Sequence, residues 1–242
     1  MSIADSIARA SGYYRRHGLA STLRRAGAAA KRSVFAGRMT VFYCDLARLR
    51  SDPQPASGPY AVEQIRSLAE LGPRRLERMT GFWNAKLAYR NICERFGKGA
   101  SLWAVMSGDQ LAGFGWTLRG STISPYYFPL GADDVHFFDY QVFPEFRGRG
   151  INPTLVSHIL NRLSETCRGR AYIEAAEWNH PQLSSLRKTP FHRLGQVRSL
   201  TLLGRTFVSW KPQQAGGELL DGSEPAGERA ERVLKTVRPA AK

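Results

Sequence analysis

The sequence predicts an α/β domain preceded by a basic helical extension, on three observations. A β-rich run, Val135–Val142, leads through two glycines one residue apart, Gly148 and Gly150, into a helix-like run, Pro153–Leu163. β-rich and helical runs alternate across residues 39–212. Ahead of them, residues 1–38 carry Ile3, Ile7 and Tyr14, then Leu19, Leu23, Ala26 and Ala30, at helical spacing between basic pairs.

In chain order, the extension reads as two short amphipathic helices broken near His17-Gly18, with Arg15-Arg16, Arg24-Arg25 and Lys31-Arg32 on their polar flanks. Met39–Tyr43 is β-rich, and Ser51–Gly58 is a Pro/Ser/Gly-rich loop. Ala61–Leu71 and Arg74–Phe96 read as helices. Leu102–Met106 and Leu111–Leu118 read as a hairpin around Ser107-Gly108-Asp109-Gln110. After the strand over Val135–Phe143 and its helix comes a strand at Arg170–Glu177. A helix capped by Asn179 follows, with Pro181 in its first turn. Val197–Leu203 and Thr206–Trp210 close the domain. Residues 213–242 are Gly/Pro-rich and charged, five acidic against five basic, which predicts a mostly disordered tail with at most a helical stretch at Glu228–Thr236.

The formal net charge of +15 predicts anionic partners. Residues 1–50 hold ten Lys/Arg against Asp5 and Asp45, so more than half the excess is local. The basic residues are not interleaved with aromatics as in a nucleic-acid-binding module, so no nucleic acid is expected. Cys44, Cys93 and Cys167 stand far apart, without a CxxC pair, and read as buried thiols of a reducing compartment. Five scattered histidines show no metal-ligand spacing. No apolar stretch approaches the ~20 residues of a membrane helix, and charges break every apolar run near residue 1, so a cytoplasmic protein is expected. Arginine outnumbers lysine 28 to 7, which points to a GC-rich bacterial source.

The most informative segment is Val142-Phe143-Pro144-Glu145-Phe146-Arg147-Gly148-Arg149-Gly150-Ile151-Asn152. Strand, Gly-rich turn and helix start together form an anion cradle. The first amides of a helix lack internal partners and sit at the positive end of its dipole. Glycines let that backbone approach a phosphate, and Arg147 and Arg149 add cationic donors. A Walker loop needs four residues between its glycines followed by Lys-Ser/Thr, and neither is present. A dinucleotide fingerprint needs a third glycine where Pro153 stands.

The segment resembles the pyrophosphate loop of the GNAT superfamily, the acyl-CoA-dependent N-acyltransferases, which reads Arg/Gln-x-x-Gly-x-Gly/Ala after Val-x-Pro. Val142, Pro144, Arg147, Gly148, Gly150 and Ile151 fall in register, and Asn152 replaces the last small residue. A second likeness is Asn179 followed by Phe191 about twelve residues on, with Pro190 where the family has Gly. The order of elements also matches. The resemblance, covering roughly Leu102 to Trp210, implies a mixed, strongly twisted sheet flanked by helices, and an acetyl- or other acyl-CoA co-substrate. It implies that the loop Arg147–Asn152 and Asn179 hold the CoA. The backbone amides of Gln141, Val142 and Phe143 would meet the thioester and pantetheine.

Direct transfer to an amine also needs a base and a proton for the departing thiolate. By strand alternation His136, Phe138 and Tyr140 share one face and Phe137, Asp139 and Gln141 the other, unless a bulge intervenes. His136 and Asp139 are the candidate bases, since some relatives place such groups at these positions. An Asp in so apolar a strand needs a partner or a function. The family's frequent proton-donating Tyr is Leu186 here, so Tyr140 becomes the candidate acid, with Tyr126 and Tyr127 behind it. Glu174 and Glu177 are further acidic candidates. Ser184 and Ser185 lack the His/Asp surroundings of a nucleophile.

The expected function is N-acyl transfer to a small-molecule amine or amino sugar. Two rivals share the motif: acyl carrier protein as donor, and a degenerate module that binds acyl-CoA or docks at a membrane. The basic extension suits an anionic membrane surface, at the inner face, or an acidic carrier protein.

Overall fold

The computed structural model describes residues 38–49, 59–81, 84–123, 126–202 and 205–212. The strands are β1 (Arg38–Asp45), β2 (Tyr60–Ile65), β3 (Ser101–Ser107), β4 (Gln110–Arg119), β5 (Val135–Val142), β6 (Arg170–Ala176), β7 (His192–Leu202) and β8 (Arg205–Pro212). The helices are α1 (Leu68–Gly81), α2 (Ala85–Gly97), α3 (Ile151–Ser164) and α4 (His180–Leu186). One mixed sheet runs β2-β3-β4-β5-β6-β1-β7-β8. Every neighbouring pair is antiparallel except β5–β6, whose parallel pairing requires a crossover, supplied by α3.

Helices cover both faces. Trp103 meets His158 of α3 edge-on, with ring centroids 6.3 Å apart, and donates its Nε1–H to Thr117 Oγ1 at 2.9 Å. On the other face Trp116 packs against Phe96 of α2 at 5.0 Å. One large core, including Leu102, Trp116, Phe137, Leu155 and Ile159, spans these layers. A smaller one around Val41, Tyr172, Leu194 and Val197 is joined by Tyr126, Tyr127 and Phe128 from the loop before β5. Among the described residues no helix is long and apolar enough to cross a membrane.

The α/β class and the central strand–turn–helix stand where the sequence puts them. The segment Ala61–Leu71 differs. Its first half is strand β2, paired with β3 from Tyr60↔Ser107 to Ile65↔Leu102. Tyr60, Val62 and Ile65 all reach the core from it, so a neighbouring strand's edge overrides the helical reading. The helix expected at Arg74–Phe96 is two. α1 kinks at Gly72 (φ 72°) and Pro73, and ends at Gly81. α2 starts afresh where the Asn84 side chain accepts the Leu87 amide at 3.1 Å. Arg38 belongs to β1; the rest of the N-terminal extension and residues 213–242 lie outside the described residues.

Candidate functional site

β5 and β6 pair at only three positions, Val135↔Ala171, His136↔Tyr172 and Phe137↔Ile173, and then part. Asp139 has φ 50°, in the region L-residues avoid. Between Phe138 and Gln141, β5 advances three residues while β4 advances two, from Trp116 to Phe114. That extra residue is a bulge, which twists a strand and ends its pairing. Opposite it, Gly115 has no room for a side chain, since a Cβ there would lie 2.2 Å from Tyr140 Cε1. Beyond Phe137 the free edge of β5 faces a gap.

The bulge also overturns the alternation expected for β5. Tyr140 stacks on Phe137 (centroids 6.1 Å apart, planes 9°) and covers Gly115, leaving the face of His136 and Phe138. Asp139 joins that face instead. It pairs with Arg95 of α2, whose guanidinium lies 5.2 Å from the Trp116 ring and 5.6 Å from the Phe138 ring.

After β5 the backbone's donors run out of acceptors. Phe146 and Arg147 donate to the carbonyls of Phe143 and Pro144 in a single 3-10 turn. Among the described residues, the amides of Gly148, Arg149, Gly150, Ile151 and Asn152 have no internal acceptor. Gly148 (φ 77°) and Gly150 (φ 73°, the N-cap of α3) make this path possible, and a Cβ on either would meet nothing within 4 Å. Bare amides and the positive end of a fourteen-residue helix therefore converge on one spot.

They open on a cleft of about 460 Å³ between the start of α3 and α4. Its far wall carries Asn179, Ser184, Ser185 and Lys188. Arg147 Nε donates to the Val142 carbonyl at 3.1 Å, leaving the terminal nitrogens of its guanidinium for an anion. Arg78 of α1 holds the loop from behind. It pairs with Glu145, donates Nε–H to Leu111 O at 2.8 Å and lies 4.2 Å over the Phe143 ring. A hydrogen bond from its own backbone and then the Arg78 guanidinium hold the Glu145 carboxyl below the usual range. Asn179 caps α4, accepting the Gln182 amide at 3.3 Å, and Asn152 Nδ2 donates to Ser185 Oγ at 3.0 Å, tying α3 to α4.

Of the three β5 amides assigned to the thioester, two are turned away. Phe143, buried, donates its amide to Ala112 O at 3.0 Å. Gln141 points the same way, its carbonyl pressed against Gly113 of β4. Strand amides alternate, so only that of Val142 faces the gap.

Nor does the structure bring His136 to the cleft. Buried where β5 and β6 still pair, it places Nε2 3.1 Å from Oε2 and 3.2 Å from Oε1 of Glu174, and Oε2 also accepts the Tyr126 hydroxyl at 3.1 Å. Facing those acceptors, Nε2 is the donor, while Nδ1 is buried with no partner among the described residues. Asp139, by contrast, is exposed (58%) and borders a second cavity, also of about 460 Å³, beneath α2. Tyr140 and Gln141 line both cavities. The Tyr140 hydroxyl is buried without a partner among the described residues, and burial raises its pKa well above the usual value. Leu186, where the family's Tyr is missing, is fully buried in the core.

The model of the acetyltransferase (GNAT) family matches residues 64–195, more than half the chain. The chain belongs to the acetyltransferase (GNAT) family. The sequence has no match among curated proteins. Solved structures with a low-level likeness include three proteins. One is the glucosamine N-acetyltransferase region of a fungal multi-domain β-N-acetylglucosaminidase, 13% identical, TM-score 0.49, over 73% of this chain and 22% of that one. Another is a functionally unknown conserved protein of Staphylococcus epidermidis, 10% identical, TM-score 0.44, over 66% and 59%. The third is a tandem GNAT protein from the clavulanic acid biosynthesis pathway, 16% identical, TM-score 0.43, over 78% and 60%. The chain spans three fifths or less of the length of each.

In the GNAT frame, the residues that escaped the sequence are those that reach the site from elsewhere. Arg78, Arg95 and Gly115 carry no local motif. A signal existed for Arg95: it lies on the inward stripe Asn84, Ala88, Asn91, Arg95 of α2, where a lone cation needs a partner.

Proposed function

We propose that this GNAT protein transfers an acyl group from acyl-CoA directly to the primary amine of a small molecule, an amino sugar included. The observation that supports this reading is the run of five unpartnered amides from Gly148 to Asn152, beside the gap where β5 leaves β6. They are the complement of a diphosphate, with Arg147 and Lys188 as flanking cations. Acyl-CoA supplies the activated carbonyl; the chain supplies position and proton transfer. Arg95 occupies Asp139 Oδ2, so Oδ1 is free to hold the incoming ammonium and take its proton. The amine nitrogen then bonds the acyl carbon, the carbon–sulfur bond breaks with its electron pair on sulfur, and the second proton lost by the nitrogen passes through solvent to the departing thiolate. Tyr140, kept protonated by burial, is not the proton source.

Calorimetry with CoA tests the cradle. Gly148→Val and Gly150→Val, each forced into a left-handed conformation costing about 1–2 kcal/mol and each placing bulk in the cleft, should lose CoA binding while the domain stays folded. Unchanged affinity refutes the reading. Asp139→Asn should lower kcat by about 10²–10⁴ with CoA affinity retained. Leu186 in the core favours a second reading, a module that binds acyl-CoA without turnover. Binding without thiol release across a broad amine panel selects it.

A further inference from the structure

Three donors without acceptors stand around one cavity. The space beneath α2, about 460 Å³, is lined by Asn91 and Arg95 of that helix and by Asp139 and Tyr140 of the bulge. The Arg95 Nε–H and the Tyr140 hydroxyl are buried without a partner among the described residues. The half-buried Asn91 side-chain amide has none there either. Buried donors left unsatisfied are rare in folded chains, because each forfeits the hydrogen bond it made in water. Arg95 Nε–H can only donate, burial keeps Tyr140 protonated, and Asn91 brings two N–H groups. Their complement is a group rich in lone pairs.

Charge and shape narrow that group. Oδ2 of Asp139 is held by Arg95 and Oδ1 is free for the ammonium of the acceptor, so the acceptor's other atoms have the bordering cavity to fill. Asp139 already offsets the charge of Arg95. An ammonium arriving alone leaves the cluster with one net positive charge, whereas an ammonium that brings its own carboxylate leaves it neutral. A carboxylate also accepts at both oxygens and donates nothing, which suits all three donors. The rest of the wall includes Met79, Leu87, Ile92 and Phe114. Sugar hydroxyls would lose their water against these side chains without gaining a partner. An aliphatic or aromatic side chain would not.

We infer that the cavity beneath α2 is the acceptor site and that the acceptor is an α-amino acid with an apolar side chain. Its ammonium meets Asp139, its carboxylate meets the donors of Asn91, Arg95 and Tyr140, and its side chain lies on the apolar wall. This rests on the proposed direct transfer from acyl-CoA and deepens it by narrowing the amine to one class.

The test is calorimetry of the full chain with L-leucine and L-phenylalanine, each beside the amine that lacks only its carboxylate, isopentylamine and phenethylamine, and with glucosamine and CoA. At least one amino acid should bind about 10- to 100-fold more tightly than its decarboxylated counterpart and should release thiol from acetyl-CoA faster at equal concentration. Asn91→Leu and Tyr140→Phe, which each remove one donor, should cut that preference by about tenfold, with CoA bound as before reporting a folded domain. If CoA binds but the simple amines bind as tightly as their amino acids, or glucosamine binds more tightly than either, the inference is overturned and the acyl-CoA reading survives. A preference that both variants leave intact also overturns it. If CoA itself does not bind, the underlying reading falls and takes the inference with it.

Discussion

Replacing Gly115 by alanine adds one methyl at the point where β4 meets the bulge of β5. That carbon would lie 2.2, 2.5 and 2.6 Å from Cε1, Cδ1 and Cζ of Tyr140. Carbon atoms prefer about 3.5–4.0 Å, so the ring must retreat by roughly 1.3 Å. It has nowhere simple to go, being stacked flat on Phe137, itself fully buried. Overpacking of this kind costs about 1–3 kcal/mol, which for a domain of this size lowers Tm by about 2–4 °C per kcal/mol. Thermal unfolding followed by circular dichroism measures it, and CoA calorimetry on the same variant should show weakened binding, because the displaced ring borders both cavities. The decisive comparison is a double-mutant cycle with Tyr140→Ala. Without the ring, Gly115→Ala should be neutral or stabilising by roughly 0.5–1 kcal/mol, as expected for Gly replaced within a strand. The two changes should therefore couple by 1 kcal/mol or more. Additive losses would show that the Gly115–Tyr140 contact does not hold the bulge in place.

Tyr140→Phe removes a buried hydroxyl that has no partner among the described residues, and should leave stability unchanged or raise it by about 1 kcal/mol in urea unfolding; a clear loss would mean the hydroxyl is bonded. The pKa of His158, packed on Trp103, is lowered first by burial and then by Arg162. The folded state thus binds fewer protons than the unfolded one, so its contribution is complete above pH 6.5 and declines as pH falls below that value. His158→Gln should flatten unfolding free energy against pH in that window, and an unchanged slope contradicts it. Burial, then Asp45, pushes the Cys44 thiol up to about 12. Iodoacetamide at pH 8 should therefore spare Cys44 in the native protein and label it after denaturation, as peptide mass spectrometry would show.

What could be read from the sequence was what obeys local rules. The positive-φ glycines, Pro153 in the first turn of α3 and the Asn179 cap each depend on a few neighbouring residues, and each follows from its own stretch of chain. The bulge at Asp139 does not, because it is a mismatch of count between β5 and β4 and exists only in their pairing. Asp139 meets Arg95 across 44 residues, and Glu145 meets Arg78 across 67, distances over which composition and periodicity are silent. His136 illustrates a further limit. A strand position fixes where the ring leaves the backbone, but its burial against Glu174 and Tyr126 is set by a neighbouring strand and by how the loop ahead of β5 folds back.

Among the described residues, the three residue pairs between β5 and β6 are the whole strand pairing between two all-antiparallel quartets, β2-β3-β4-β5 and β6-β1-β7-β8. The shortest suture in the sheet thus forms the floor of its cleft. Weakly laddered segments open first in the native ensemble, so a ligand bridging Val142 to the α4 wall would act as a splint, and its arrival would register as stiffening of both halves at once.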